Sequence, residues 1–277
     1  MGTDITRHGQ SSDLRTSRRH VGNPGTSHQS NDPRNREPRD REQRAAAGRF
    51  LTLALYAFAV FGWELLVVLL VDPLLETLDG AATPAILHWL VTAAGWTLGV
   101  LVVGLVARPR TRRAAAQLRP CPGSPDGAAY PNADPITGRA LRIVVVAVAL
   151  LVSAGGRAAF TGEWKLLHET ADLVERFPGH ALAAIVALLL YYLAETAVVV
   201  LLLRLGQRAG ELRFGRPVVP WGGLLLACTW GVVHVFLQGL DAGVYAMAAS
   251  VLYGLVVVYG PRRAAPLAAL IAVAFVL

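Results

Sequence analysis

Four ionisable residues lie inside apolar stretches of this chain: Glu64, His88, Glu195 and His234. Such a group at membrane depth costs ~2.5–3.5 kcal/mol or more unless it is paired or hydrated, so each marks a candidate site. Glu195 stands in the run Tyr191-Tyr192-Leu193-Ala194-Glu195-Thr196, with Tyr191 one turn earlier on the same helical face. His234 closes the run Trp230-Gly231-Val232-Val233-His234, and Gln238 follows one turn later. A carboxylate and an imidazole brought together from adjacent spans can do hydrolytic chemistry. Glu195 would take a proton from water, and His234 would hydrogen-bond or ligate a divalent metal such as Zn²⁺. The same two residues also read as a structural Glu–His hydrogen bond, and on two residues alone that reading outweighs catalysis. Glu64 and His88 form an alternative buried constellation around His234.

The elements that must position these groups follow from composition. The 277 residues are 54% hydrophobic and 16% charged, with a mean hydropathy of +0.45. Soluble domains average ~45–50% apolar and ~25% charged residues. Apolar runs at about 50–71, 84–107, 143–159, 180–203, 218–238, 242–260 and 264–277 predict seven spans by the ~20-residue requirement. The last would rise only ~21 Å at 1.5 Å per residue. The expected fold is therefore all-α, a polytopic membrane helix bundle over 50–277 with a disordered tail over 1–49.

That tail holds 10 of the chain's arginines and six acids, with no helical or strand period. It cannot bury enough apolar area to offset its ordering entropy, and it is too long and polar to be the start of a signal peptide. A pI near 10.0 does not imply nucleic acid, because the cations sort by loop. Alternate connections, beginning with the tail, carry 23 Lys and Arg, and the opposite set carries three. The positive-inside rule then places the N-terminus in the cytoplasm of a multi-pass protein of the cell membrane. A solvated tail that sets orientation is favoured over one that binds anionic headgroups.

Between the third and fourth spans, Phe160, Trp164, Leu167, Ala171, Val174 and Phe177 recur at helical spacing. They predict an amphipathic helix on the outer membrane surface, with a soluble cap helix as the alternative. The loop 108–139 holds six prolines and is expected to be irregular. Ala242, Ala246, Ser250 and Gly254, like Gly95 and Gly99, recur every four residues and suit close helix packing. Cys121 and Cys228 fall in a polar loop and an apolar run, which implies no disulfide.

From about 180 to 277 the chain resembles the CPBP family of intramembrane proteases, which includes the CAAX prenyl endopeptidases and the bacterial Abi proteins. That family's first motif is Glu-Glu-x-x-x-Arg followed by an apolar run ending in Arg, a frame matched by Glu195 through Leu203-Arg204. Its second, Phe-x-x-x-His, is matched by Trp230 to His234 with Trp for Phe, and the stretch Arg263 to Ala269 is similar to the approach to its third, His-x-x-x-Asn. The resemblance implies a peptide-bond hydrolase using Glu-activated water with His assistance. In this frame Ala194 replaces the first Glu, Val199 the Arg, Leu270 the second His and Ala274 the Asn, leaving Glu195 and His234.

Counting along helices, Glu195 lies ~12 Å from the cytoplasmic end of its span and His234 ~24 Å, so direct contact would require tilt, a displaced boundary or a broken helix near Pro220-Trp221-Gly222-Gly223. Glu64, at ~21 Å, matches His234 better. Three functions follow. The first is a divergent, inactive homologue binding a peptide or membrane-protein partner. The second is an active endopeptidase with a rearranged site, and the third is an unrelated transporter or assembly factor. The third would lead one to expect inverted repeats and paired broken helices, which the sequence does not display.

Overall fold

The computed structural model describes residues 33–276 apart from 79, 81 and 118–134. Residues 40–277 form one compact unit. The elements are α1 (Pro33–Val60), α2 (Gly62–Leu66), a π-helical segment Val67–Val71, α3 (Asp72–Leu75), α4 (Ala82–Gln117), α5 (Pro135–Thr161), α6 (Lys165–Arg176) and α7 (Ala181–Phe214). They continue with α8 (Trp221–Leu226), a second π-helical segment Ala227–Gly231, α9 (Val232–Gln238), α10 (Leu240–Tyr259) and α11 (Ala264–Val276).

Among the described residues, six stretches are long and apolar enough to cross a membrane: Arg41–Leu75, Ala82–Pro109, Gly138–Gly156, Ala181–Phe214, Trp221–Gln238 and Leu240–Tyr259. They correspond to the first six expected spans. The seventh, α11, has 13 residues and rises ~20 Å, short of a ~30 Å hydrocarbon core. Large apolar side chains such as Leu69, Leu98, Leu151 and Leu182 are exposed along these helices. Soluble monomers rarely expose apolar patches beyond a few hundred Å², and a lipid-facing belt accounts for this surface. The chain is a multi-pass helical membrane bundle.

Two boundaries differ from the sequence expectation. The expected disordered tail is helical from Pro33 onward, because the stretch 41–49 is built from Arg, Glu, Gln and Ala, which are strong helix formers. Residues 1–32 lie outside the described part. Likewise α4 runs to Gln117 and α5 begins at Pro135, so the proline-rich loop is helical at both flanks and its centre, 118–134, lies outside the described residues. Cys121 falls there, and Cys228 is a free, exposed thiol.

Helix α7 is the axis of the bundle. Some 56% of its apolar window is buried, against 17–39% in the other five stretches, and it packs against α4, α6, α8, α10 and α11. Trp96, Val198, Val199, Leu202 and Leu203 are among its fully covered neighbourhood. The small residues work as packing devices. A Cβ on Gly222 would stand 2.0 Å from the Leu203 carbonyl oxygen, and one on Gly223 would stand 2.9 Å from Gly254 Cα. The expected ridge on α10 therefore meets a glycine pair on α8, and backbone touches backbone. Gly95 admits the Trp63 indole, whose Nε1 donates to the Val91 carbonyl at 3.1 Å.

The turn from α7 to α8 is tied by Gln207, buried at 5% exposure. Its Nε2 donates to the Val219 carbonyl at 3.0 Å, and its Oε1 accepts from the Gly222 N–H at 3.2 Å. One of the N–H groups that a helix start leaves unpaired is thus satisfied.

Both π-helical segments have local causes and lie beside lining residues of the cavity described next. Pro73 can donate no N–H to the preceding turn, and the Val67–Val71 segment ends just before it. Within Ala227–Gly231, the Thr229 hydroxyl donates back to the Leu225 carbonyl at 2.8 Å, a bond that bends helices. Such segments frequently mark functional sites, and neither was foreseen from the sequence.

Candidate functional site

All four candidate residues, Glu64, His88, Glu195 and His234, line one cavity of about 1470 Å³. Each is delivered by a different stretch: Glu64 by α2, His88 by α4, Glu195 by the middle of α7 and His234 by α9. Phe275 brings α11 to the same wall. The helices carrying Glu195, His234 and Leu270 therefore surround one space. Leu270 itself packs instead against the apolar core, and Ala274 is buried.

The expected depth mismatch disappears because α7 continues to Phe214, eleven residues beyond the span end read from the sequence. Gly210 meets Trp221, which gives the two helices a common level. From there Glu195 lies ~22 Å along α7 and His234 ~20 Å along the partner helix.

Glu195 and His234 do not bond each other. Trp230 stands between them. Its Nε1 donates to Glu195 Oε1 at 3.2 Å, and its ring lies 4.1 Å, centroid to centroid, from the His234 imidazole. His234 Nδ1 pairs with the Trp230 backbone carbonyl at 2.9 Å, which assigns the proton to Nδ1. Glu195 is 7% exposed, so the indole N–H supplies a bond that a buried carboxyl group needs.

The alternative pair is also rearranged. Glu64 Oε1 accepts from the Tyr191 hydroxyl at 2.6 Å, and His88 Nδ1 meets Asp72 Oδ1 at 2.9 Å. Glu64 and His88 thus share the cavity while each is engaged elsewhere. Tyr191, which the sequence placed on the Glu195 face, turns out to link α7 to α2. Asp72, just past the end of the first apolar run, sits at the start of α3, directly after the π-helical segment.

These residues do not fit a zinc site. Among the described residues no group of three or more His, Cys, Asp and Glu side chains converges on a point where a metal ion could be held. His234 brings one nitrogen, Glu195 is bonded to the indole, and Leu270 has no ligating atom. A catalytic zinc takes three protein ligands.

The surface helix α6 lines one end of the cavity. Of the apolar row expected to lie on the outer membrane surface, Leu167 and Val174 are 66% and 54% exposed while Phe177 is buried, as is Leu173 off that row. A soluble cap helix would bury that outward row, while a helix lying at a lipid interface exposes it. Toward the bundle the helix presents Lys165 and Glu169. Glu169 Oε2 accepts from the Tyr192 hydroxyl at 2.5 Å. The Lys165 ammonium lies 3.9 Å from the Tyr192 ring centroid and 5.1 Å from that of Phe275. Sequence reasoning passed over Lys165. The available signal was that it is the chain's one lysine and starts an i, i+4, i+8 row with Glu169 and Leu173.

The chain matches no protein-family model, no curated protein and no solved structure. The site is therefore read on its own geometry.

Proposed function

We propose that this chain is a multi-pass protein of the cell membrane, N-terminus in the cytoplasm, that holds an apolar segment of a peptide or membrane protein in its cavity without cutting it. In this reading it is a divergent, inactive homologue of the CPBP-type intramembrane proteases. The observation that carries the reading is Trp230, wedged between Glu195 and His234 with its N–H on the carboxyl group. A general base must reach the proton it abstracts, and here one oxygen of the candidate base, Glu195 Oε1, accepts from an indole. The motif position that is Phe in the family is Trp in this chain, and only Trp carries that donor. Ala194 and Leu270 supply neither a proton carrier nor a ligand. The cavity exceeds the ~300–1,000 Å³ of ordinary small-molecule pockets, a size suited to a stretch of polypeptide. The asymmetry of 23 cations against three supports the orientation.

The test is site-specific photo-crosslinking in native membranes. A crosslinking residue at Leu237, which lines the cavity, is expected to give a discrete protein or peptide adduct. The same residue at Leu151, exposed on α5, is expected to give lipid adducts only. Equal adduct patterns at the two positions would exclude an occupied cavity.

A further inference from the structure

The cavity wall carries an excess of negative charge. Glu64, Glu169 and Glu195 lie inside it, and Asp172, Glu175 and Asp241 are also among its lining residues, against the cations Lys165 and Arg176. Much of the remaining wall is aromatic, including Tyr191, Tyr192, Trp230 and Phe275. Carboxylates beside aromatic faces make a receptor for a cation that carries an apolar body, because ring quadrupoles and carboxylates both attract the charge while the rings bury the stem.

One such cation is already present, supplied by the chain itself. Lys165 reaches in from the first turn of α6 and sets its ammonium over Tyr192 and close to Phe275. The Glu169 carboxyl group holds the hydroxyl of the same Tyr192 ring, and Glu195 lines the same cavity as Lys165. Its host, α6, is a 12-residue helix whose Leu167 and Val174 are exposed away from the bundle.

We propose that the subsite formed by Tyr192, Phe275, Glu169 and Glu195 recognises a lysine or arginine side chain on an otherwise apolar transmembrane segment of the partner, and that Lys165 is an internal occupant which the partner's cation displaces. The inference rests on the reading of the cavity as a partner-binding site and adds the chemistry of what is bound. A cation inside a transmembrane segment is costly in lipid, and this subsite offers it counter-charge and stacking surface at membrane depth.

The experiment uses the full chain in nanodiscs and three synthetic apolar helical peptides that differ only in a central Lys, Met or Glu. Binding is read by fluorescence anisotropy of the labelled peptide. With the wild type, the Lys peptide is expected to bind more tightly than the Met and Glu peptides. Lys165→Met is expected to bind the Lys peptide about tenfold more tightly, the equivalent of ~1.4 kcal/mol of removed competition, and to leave the Met peptide unchanged. Lys165→Arg, which keeps a cation on the rings, is expected to restore wild-type binding. Lys165→Gln serves as a second neutral variant should Lys165→Met fail to fold. Adding Glu169→Gln to Lys165→Met is expected to lower affinity for the Lys peptide alone. Weaker binding of the Lys peptide by both neutral variants, or tighter binding of the Glu peptide than of the Lys peptide, would overturn the proposal. Equal binding of the Lys and Met peptides by every variant would also overturn it, while leaving an apolar partner in the cavity intact. A failure of the partner reading itself appears elsewhere, as the loss of the discrete Leu237 adduct.

Discussion

Gly222→Val is expected to lower the thermal midpoint of the purified protein by roughly 10 °C, corresponding to on the order of 3 kcal/mol for a chain of this size. A Cβ at Gly222 would lie 2.0 Å from the Leu203 carbonyl oxygen, 2.8 Å from its carbon and 3.1 Å from the Gln207 nitrogen. All three are backbone atoms of α7, so no side chain can rotate away, and α8 must shift. The shift would also strip the Gly222 N–H from Gln207 Oε1 and lift Gly223 off Gly254. Gly104 provides the control. It lies within α4 with nothing inside 4 Å of a built Cβ, so Gly104→Ala should be neutral or stabilising by about 0.4–1 kcal/mol through the unfolded state. Differential scanning fluorimetry of both variants checks the contrast. A Gly222→Val midpoint within a degree or two of wild type would mean that α7 and α8 are not in backbone contact.

Glu195→Leu is expected to destabilise by about 1–3 kcal/mol and Glu195→Gln by much less. Leucine leaves the Trp230 N–H without its acceptor in the bundle interior, and an unpaired buried donor carries its full desolvation cost. Glutamine keeps an acceptor oxygen at nearly the same place. His234→Ala belongs with the larger effect, at about 1–3 kcal/mol. It removes the imidazole packed, tilted, against the indole and the side-chain bond to the Trp230 carbonyl. The three variants share one thermal assay in the same detergent. The order expected is Gln mildest, then Ala and Leu together. Equal loss for Gln and Leu at residue 195 would show that the carboxyl group does more than accept from Trp230.

Particular residues show how far the sequence reaches. Six apolar runs and the short seventh were legible because lipid exposure demands long unbroken hydropathy, which needs no tertiary information. Glu195 and His234 stood out for the same reason, since an ionisable residue in an apolar run is visible at once. Their relation was not legible. It depended on where α7 ends, and Leu205 to Phe214 reads as a polar connection although it continues the helix with Gln, Arg, Glu and Ala. The Trp230 wedge depended on the π-helical turn at Ala227–Gly231, within which Thr229 bonds back to its own helix, and hydropathy records neither feature. The apolar row of α6 was legible as a stripe for the membrane surface, but the residues its other side turns to the cavity were not. In a bilayer the apolar row can face lipid, and the polar row then turns to the cavity. The Asp72–His88 pair escaped because Asp72 falls just past the end of the first apolar run, and its partner lies on a different helix, α4.

The central claim is that Glu195 is an acceptor for Trp230 and not a base that activates water. It is tested most directly by incubating the reconstituted wild-type protein and Glu195→Gln with a prenylated peptide substrate and with an apolar helical peptide, with and without added Zn²⁺, and following products by mass spectrometry. The expected outcome is no cleavage product from either protein under any condition, with both proteins folded. Product formed by the wild type and lost in Glu195→Gln at unchanged thermal stability would contradict the account and make Glu195 a catalytic residue.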